Sequence, residues 1–306
     1  MTTSAPASPL PRNDVPPTPG RRLVAALYRR PRIQLGLLLA APTGWFAILY
    51  LGSLAVLLVS AFWYLDPATS SIVRSFTLQN FVSLLTDPVY RTITIRTLTI
   101  AILVTLTDAV IAFPIAFYMA RIAGSRARSI LFMLVLLPLW SSYLVRVYAW
   151  RVILAPGGLL DWAFTSIGLP GLSPGYSDAS MWLVFSYLWL PYMILPIYAG
   201  LERIPQSYLE ASADLGGRGL MTFRRIVLPL VVPALAAGSI FTFSLTLGDY
   251  ITPQLVGNSQ FLGNVIYASQ GVSNNVPFAA AFAVVPIAIM GIYLLLARRL
   301  GAFDAL

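Results

Sequence analysis

The residues best placed to do chemistry in this chain are charged side chains inside long apolar runs. Asp108 lies in the middle of one run, Arg146 near the end of the next, and Asp249 beside Gly248 at the end of a later one. If the runs cross a membrane, such charges are costly and are candidate functional groups. Two interpretations stay open for the acids. They line a cavity and balance a cationic solute, or they pair with Arg146 or with backbone donors and hold helices together.

Aromatic side chains form the second part of the predicted site. Aromatic faces near carboxylates attract alkylammonium groups, each contact contributing about 0.5–2 kcal/mol when desolvated. Trp and Tyr at the ends of spans also form interfacial belts, which accounts for Trp150 and Trp182. The chain has no Cys and no His, so thiolate or imidazole metal sites and Ser-His-Asp triads are excluded. We therefore expect an organic cation, bound along a path of Asp249, Asp108, Trp140, Tyr143, Tyr187, Trp189, Tyr192 and Tyr250. We interpret Arg146 as a structural partner or an interface anchor.

Membrane-spanning helices must position these residues. Of the 306 residues, 58% are hydrophobic and only 10% are charged, which is typical of an all-α polytopic membrane protein. Each of the apolar runs is close to the roughly 20 residues that a helix needs to cross a bilayer. We predict six transmembrane helices, at residues 35–63, 93–120, 130–150, 181–201, 230–251 and 278–297. The second to sixth runs each contain Pro, which predicts kinked helices packed against neighbours.

The distribution of basic residues predicts an orientation. All 20 basic residues are Arg, and fifteen of them fall in residues 1–32, in the connectors after the second and fourth runs, and at the C-terminus. Arg74, Arg91 and Arg151 alone fall in the opposite loops. The positive-inside rule therefore places both termini in the cytoplasm. The first 32 residues, rich in Pro, Ser and Thr, are predicted to be a disordered cytoplasmic tail that stays attached, followed by a transmembrane domain over residues 33–306.

The most polar internal segment is the connector at residues 202–229, which the same rule makes cytoplasmic. Ser207 and Glu210 have the spacing of a capping box, so we predict a short helix that starts at Ser207. Gly216 and Gly217 are predicted to end that helix in a left-handed turn. The absence of Lys excludes a P-loop, because its Lys reaches the nucleotide phosphates. ATP, if it drives this protein, must be bound by another chain.

The spacing of Glu210-Ala211, Gly216 and Ile226-Val-Leu-Pro229 resembles the EAA signature of ABC-importer permeases, with Ser212 in place of its third residue. We call residues 202–229 the EAA loop. The resemblance implies a coupling helix that docks into a groove on a separate ATPase subunit. The candidate coupling residues are Ser207, Glu210, Ala211, Ser212, Asp214 and Gly216. A solvated connector that matches by chance is the alternative.

Two further stretches, residues 139–150 and 248–257, are similar to the spermidine/putrescine importer permeases, although relatives for other small organic solutes or ferric ion share parts of them. The resemblance implies a type I ABC importer permease of the bacterial inner membrane that takes up a polyamine. Its implied partners are an ATPase dimer, a second, related permease, an extracytoplasmic solute-binding protein and membrane lipid, with no nucleic acid. The chain would be a transport subunit and not an enzyme. It would bind no cofactor, since ATP and Mg belong to the partner.

Two alternatives come from other classes of protein. A secondary transporter driven by protons through Asp108 would need no partner. A membrane-embedded enzyme lacks support, because Asp108 and Asp249 have no His or Lys companion for acid–base chemistry. In the outer loops, residues 76–81 resemble the F-T-L-x-N-F entry of these permeases and residues 157–168 predict a short surface helix. These loops could receive a binding protein or be plain connectors.

Overall fold

The computed structural model describes residues 31–171 and 174–305, and these are almost entirely helical. The predicted tail, apart from its last two residues, lies outside the described residues. The described elements include the antiparallel strands β1 (Tyr64–Leu65) and β2 (Ile72–Val73) and π-helical segments at Phe46–Leu51, Tyr118–Ile122 and Phe223–Val227. The α-helices, in chain order, are α1 (Pro31–Trp45), α2 (Gly52–Ser60), α3 (Gln79–Thr86), α4 (Pro88–Phe117), α5 (Ser125–Trp140), α6 (Tyr143–Leu154), α7 (Leu159–Ser166), α8 (Asp178–Glu202), α9 (Gln206–Asp214), α10 (Gly219–Thr222), α11 (Leu228–Gly248), α12 (Ile251–Leu255), α13 (Leu262–Gly271), α14 (Val276–Arg299) and α15 (Ala302–Ala305).

The apolar runs predicted to cross the membrane form long helices. Five continuous helices in the described residues are long and apolar enough to span, and a bent pair makes a sixth. The five are Leu38–Ser60, Pro88–Ile122, Asp178–Glu202, Gly219–Gly248 and Val276–Arg299. The predicted all-α fold with six spans is confirmed. The span ends lie within a few residues of the predicted ones, except that the span predicted at residues 230–251 begins at Gly219.

The third span is broken, which the sequence pattern did not predict. Helices α5 and α6 meet at an angle of 92°. Ser141 has extended backbone angles, and its hydroxyl donates to the Pro138 carbonyl at 2.7 Å. A serine that bonds to its own local backbone offers the chain an alternative to the helix. The prediction of one continuous run at residues 130–150 is therefore wrong at Ser141 and Ser142.

The chain divides into two compact units, and the boundary lies between Val56 and Leu57. The described part of the first, residues 31–56, is a helix with exposed apolar side chains such as Trp45 and Ile48. In the second unit α4, α8 and α11 pack against one another. Small residues let them approach closely, because a Cβ at Gly238 would lie only 2.9 Å from the sulfur of Met193. This three-helix centre, together with α6, carries the candidate site.

The loops at the end of the second unit remote from the EAA loop are also ordered by specific contacts. Asn80 is buried, and its amide donates to the carbonyls of Ala61 at 3.0 Å and Trp63 at 2.8 Å. These two hydrogen bonds explain why the F-T-L-x-N-F stretch at residues 76–81 has an asparagine at position 80. Helix α7 confirms the short helix predicted within residues 157–168, and it lies between Gly157 and Gly168, which both have positive φ.

Candidate functional site

Helix α9 forms the predicted short helix of the EAA loop, but it begins differently from the prediction. Its N-cap is Pro205, with φ of −62° and ψ of 140°, and no side chain caps it. The predicted capping box of Ser207 and Glu210 is therefore wrong. Because the N-cap lies two residues earlier than predicted, Ser207 is inside the first turn instead of at the cap.

The end of α9 follows the prediction. Gly216 has φ of +76°, the left-handed conformation that glycine adopts at helix C-termini. The next residue, Gly217, donates its N–H to the carbonyl of Ser212 at 2.7 Å, and a Cβ there would clash with that serine. Ser212 also shares a hydrogen bond of 2.8 Å with the hydroxyl of Thr222. The turn after α9 is thus fixed in one geometry.

Helix α9 has one side against the bundle and one side free. Ser212 is buried and Leu209 packs against the core cluster that α4, α8 and α11 form nearest the loop. The other candidate coupling residues, Ser207, Glu210, Ala211, Asp214 and Gly216, are exposed. Beside them lies a groove of about 620 Å³ lined by Tyr208, Ala211, Ser212, Leu215, Gly217, Met221, Arg225, Ile226, Pro229 and Leu230. An exposed apolar groove on a surface helix is typical of a protein contact.

Sequence reasoning missed a network of arginines just before α9. One guanidinium nitrogen of Arg121 donates hydrogen bonds to the carbonyls of Leu201 at 2.5 Å and Ile204 at 2.7 Å. Arg128 contacts the Met119 carbonyl at 3.1 Å and Glu202 at 3.4 Å. Cations at helix C-termini satisfy the last carbonyls, so this network fastens the ends of two spans together. The only sign of this network in the sequence is the presence of Arg near the ends of apolar runs, a pattern that also sets membrane orientation.

The carboxylate of Asp249 forms the centre of the predicted path. It is half-buried, follows the last residue of α11, and accepts the Ile251 N–H at 2.8 Å and the Thr252 hydroxyl at 2.9 Å. The Tyr143 hydroxyl also donates to it and lies 2.7 Å from that of Thr252. The acid therefore joins the start of α6 to the start of α12. The expected backbone donors are present, and the aromatic neighbour is Tyr143.

Three of the predicted aromatic residues come together beside Asp249. The ring of Tyr143 stacks on Trp189 with centroids 5.9 Å apart, and Trp189 lies 6.0 Å from Tyr192. The guanidinium of Arg146 lies over the Tyr143 ring, 6.0 Å from its centroid. We call Asp249, Tyr143, Trp189 and Tyr192 the Asp249 group. It draws on α6, α8 and the break between α11 and α12.

The remaining predicted aromatic residues have other neighbours. Trp140 is 80% exposed and lines a separate groove with Phe132 and Met133. Tyr187 packs edge-on against Trp150 at 5.3 Å. The ring of Tyr250 stacks on Tyr267 of α13 at 4.7 Å.

Asp108 is fully buried, and neither of its carboxylate oxygens has a hydrogen-bond partner among the described residues. The ion pairs in the described residues are Arg96–Asp178 at 3.5 Å and Arg128–Glu202 at 3.4 Å. Neither of these ion pairs joins an acid to Arg146.

Six candidate spans, with an exposed helix between the fourth and fifth, are the features of a polytopic membrane protein. A family profile described as the inner membrane component of binding-protein-dependent transport systems matches residues 112–302. The chain belongs to this family of ABC-importer permeases, which are multi-span inner-membrane subunits. Membership of this family argues against the two alternatives from other classes, a secondary transporter driven by protons and a membrane-embedded enzyme.

Relatives and solved structures agree with that assignment. The chain is 46% identical over 306 residues to the inner membrane ABC transporter permease protein YdcU of Escherichia coli K12, covering 95% of this chain and 97% of the relative. It is 28% identical over 260 residues to the spermidine/putrescine transport system permease protein PotB of the same organism, covering 84% and 94%. A chain of the bacterial alginate ABC transporter, solved with an alginate pentasaccharide-bound periplasmic protein, superposes with a TM-score of 0.72 at 18% identity, covering 90% and 97%. The last likeness confirms the type I importer permease fold.

Proposed function

We propose that this chain is the permease subunit through which an ABC importer takes up a polyamine-like organic cation. The observation that carries the proposal is the Asp249 group, in which a half-buried carboxylate adjoins the stacked rings of Tyr143 and Trp189. A carboxylate beside aromatic faces suits an alkylammonium group, through charge and through cation–π attraction. The name of PotB states spermidine and putrescine, and that of YdcU states no solute.

The proposed source of power is a separate ATPase subunit that docks on the free side of α9, since the chain has no Lys for a P-loop. The groove beside Tyr208 and Leu215 is the proposed contact. Arg distribution supports a cytoplasmic position for the EAA loop and both termini. A second, related permease and an extracytoplasmic solute-binding protein complete the proposed complex. ATP and Mg are bound by the partner, and this chain binds no cofactor.

The contacts around α9 indicate how a movement there would reach the path. Leu209 packs against the core cluster that α4, α8 and α11 form, and Arg121, in the segment after α4, binds the end of α8. Displacement of α9 therefore moves the spans that hold the path as a connected set. The break at Ser141 and Ser142 supplies a hinge next to Tyr143. In this mechanism the ATPase dimer closes and α9 moves with it. The Asp249 group then becomes accessible from one side of the membrane and afterwards from the other.

The test is reconstitution of the complete complex in proteoliposomes. ATP hydrolysis is measured with putrescine, spermidine, neutral amino acids and a ferric complex, each with the solute-binding protein present. We expect stimulation and uptake with the polyamines. Stimulation by the ferric complex or by neutral solutes alone would assign another cargo. Transport by the purified chain without an ATPase subunit would refute the coupling mechanism.

A further inference from the structure

The buried polar atoms without partners are concentrated in one place. Among the residues that the structure describes, all such side-chain atoms belong to Asp108, Arg146, Ser186 and Trp189, which we call the mid-span polar group. They are both carboxylate oxygens, Nε and Nη1 of the guanidinium, the serine hydroxyl and the indole N–H. Buried polar groups in native proteins are hydrogen-bonded as a rule, so four exceptions on adjacent helices indicate a ligand.

Asp108 and Trp189 lie on packed helices at the same level. Trp189 belongs to the same core cluster as Val104, which is one helical turn before Asp108. The indole of Trp182 donates to the hydroxyl of Thr107 at 3.0 Å, which fixes the register of α8 against α4 beside Asp108. The carboxylate therefore lies in the layer of the bundle that holds Trp189.

Arg146 reaches the same layer from α6. Its neighbour Val147 is fully buried in that cluster, and its guanidinium faces the ring of Tyr143 at 6.0 Å. Tyr143 in turn stacks on Trp189 at 5.9 Å. Ser186 lies three residues before Trp189 and so shares its face of α8. The mid-span polar group thus adjoins the Asp249 group, and Trp189 belongs to both.

The chemistry of the mid-span polar group differs from that of a pure cation site. Arg146 and Trp189 can only donate hydrogen bonds, and Ser186 can donate as well. Asp108 accepts when ionised. A diamine could satisfy Asp108 but would leave the guanidinium without an acceptor and would add like charge beside it. A guanidinium is the side chain best suited to a carboxylate, through charge and planar geometry.

We propose that the path accepts linear amino carboxylates, with an ammonium group at one end and a carboxylate at the other, as well as diamines. Arg146, Trp189 and Ser186 hold the carboxylate of such a solute, while Asp108 holds its ammonium group. The proposal rests on the proposed function, because it places the solute in the same path. It adds Arg146 and Ser186 as residues that determine solute specificity.

The test is equilibrium binding to the detergent-purified complex of both permeases with the ATPase. The solute-binding protein is left out, so that its own selectivity does not enter. The probes are radiolabelled δ-aminovalerate and cadaverine, which have similar length and differ in one terminal group. We expect both to bind. Arg146→Gln should weaken δ-aminovalerate binding about ten- to a hundred-fold, and it should not weaken cadaverine binding, since the variant removes the like charge beside the diamine.

Two further variants separate solute contact from folding. Arg151→Gln changes the same residue type on the same helix, where the guanidinium faces Tyr176 at 5.5 Å, and should leave both affinities unchanged. Ser186→Ala removes one hydroxyl donor of the mid-span polar group and leaves the rings beside Asp249 in place, so it should weaken δ-aminovalerate binding selectively. An equal loss of both solutes in Arg146→Gln and in Ser186→Ala would overturn the proposal.

Polyamine uptake through the complete importer is measured in parallel. Uptake of cadaverine and putrescine without any binding of δ-aminovalerate would overturn this inference and leave the proposed function standing. Failure of polyamine uptake, with δ-aminovalerate bound in the predicted variant-sensitive way, would instead overturn the polyamine assignment and retain the amino-carboxylate site.

Discussion

At Asp249 one carboxylate serves the fold and the proposed transport path together. It caps α12 through the backbone N–H of Ile251 and binds the hydroxyls of Thr252 and Tyr143. All of these donors are neutral, so the negative charge has no cationic partner among the described residues. An ammonium group of a solute would supply that partner.

Comparison of Asp249→Asn with Tyr143→Phe separates the charge from the hydrogen bond. Asparagine still accepts from Ile251 and caps α12, so we expect the melting temperature of the complex to fall by only a few degrees. Polyamine uptake should fall about tenfold or more, because the charge is lost. Tyr143→Phe removes the hydroxyl and keeps the stacking on Trp189. If it reduces uptake as much as Asp249→Asn does, the carboxylate acts through the fold and not through its charge.

At the scale of elements, the existence of the spans could be predicted and their interruptions could not. Long apolar runs predict helices because lipid leaves the backbone no other partner. The break at Ser141 depends on a local hydroxyl bond to Pro138, which hydropathy does not register. The capping box at Ser207 was wrong because Pro205 starts the helix earlier. Arg121 binds carbonyls some eighty residues away in sequence, and no single-sequence pattern encodes such a contact.

The link from α4 to α8 should be measurable through Arg121. Arg121→Gln removes a charged donor from the carbonyls of Leu201 and Ile204, so we expect a loss of about 1.5–3 kcal/mol in the free energy of unfolding. Arg126→Gln, at an exposed position of the same connector, is the matched control and should be neutral. Denaturant unfolding of the purified protein measures both. Equal stability of the two variants would show that the Arg121 contacts contribute little.

The turn after α9 is the second testable element. Gly216→Val forces a β-branched residue to positive φ, at a cost of about 1–2 kcal/mol that the turn can relieve by shifting α9. We expect solute-stimulated ATP hydrolysis by the complex to fall several-fold while the protein remains in the membrane. Gly219→Ala is the control, because an added Cβ there meets nothing within 4 Å. Full stimulation in Gly216→Val would argue against α9 as the coupling element.

At the scale of the whole molecule, the Arg distribution makes an orientation prediction that the absence of Cys allows to be tested directly. Ser207 on α9 and Ser273 between α13 and α14 are both exposed, so each can be replaced by Cys as the single thiol of the chain. We expect Ser273→Cys to react with a membrane-impermeant maleimide in intact cells, and Ser207→Cys to react only in inverted vesicles. The ATPase subunit, added to those vesicles, should then protect Ser207→Cys, since that position lies on the proposed docking side. Labelling of Ser207→Cys from outside the cell would reverse the orientation and remove the basis for coupling through α9.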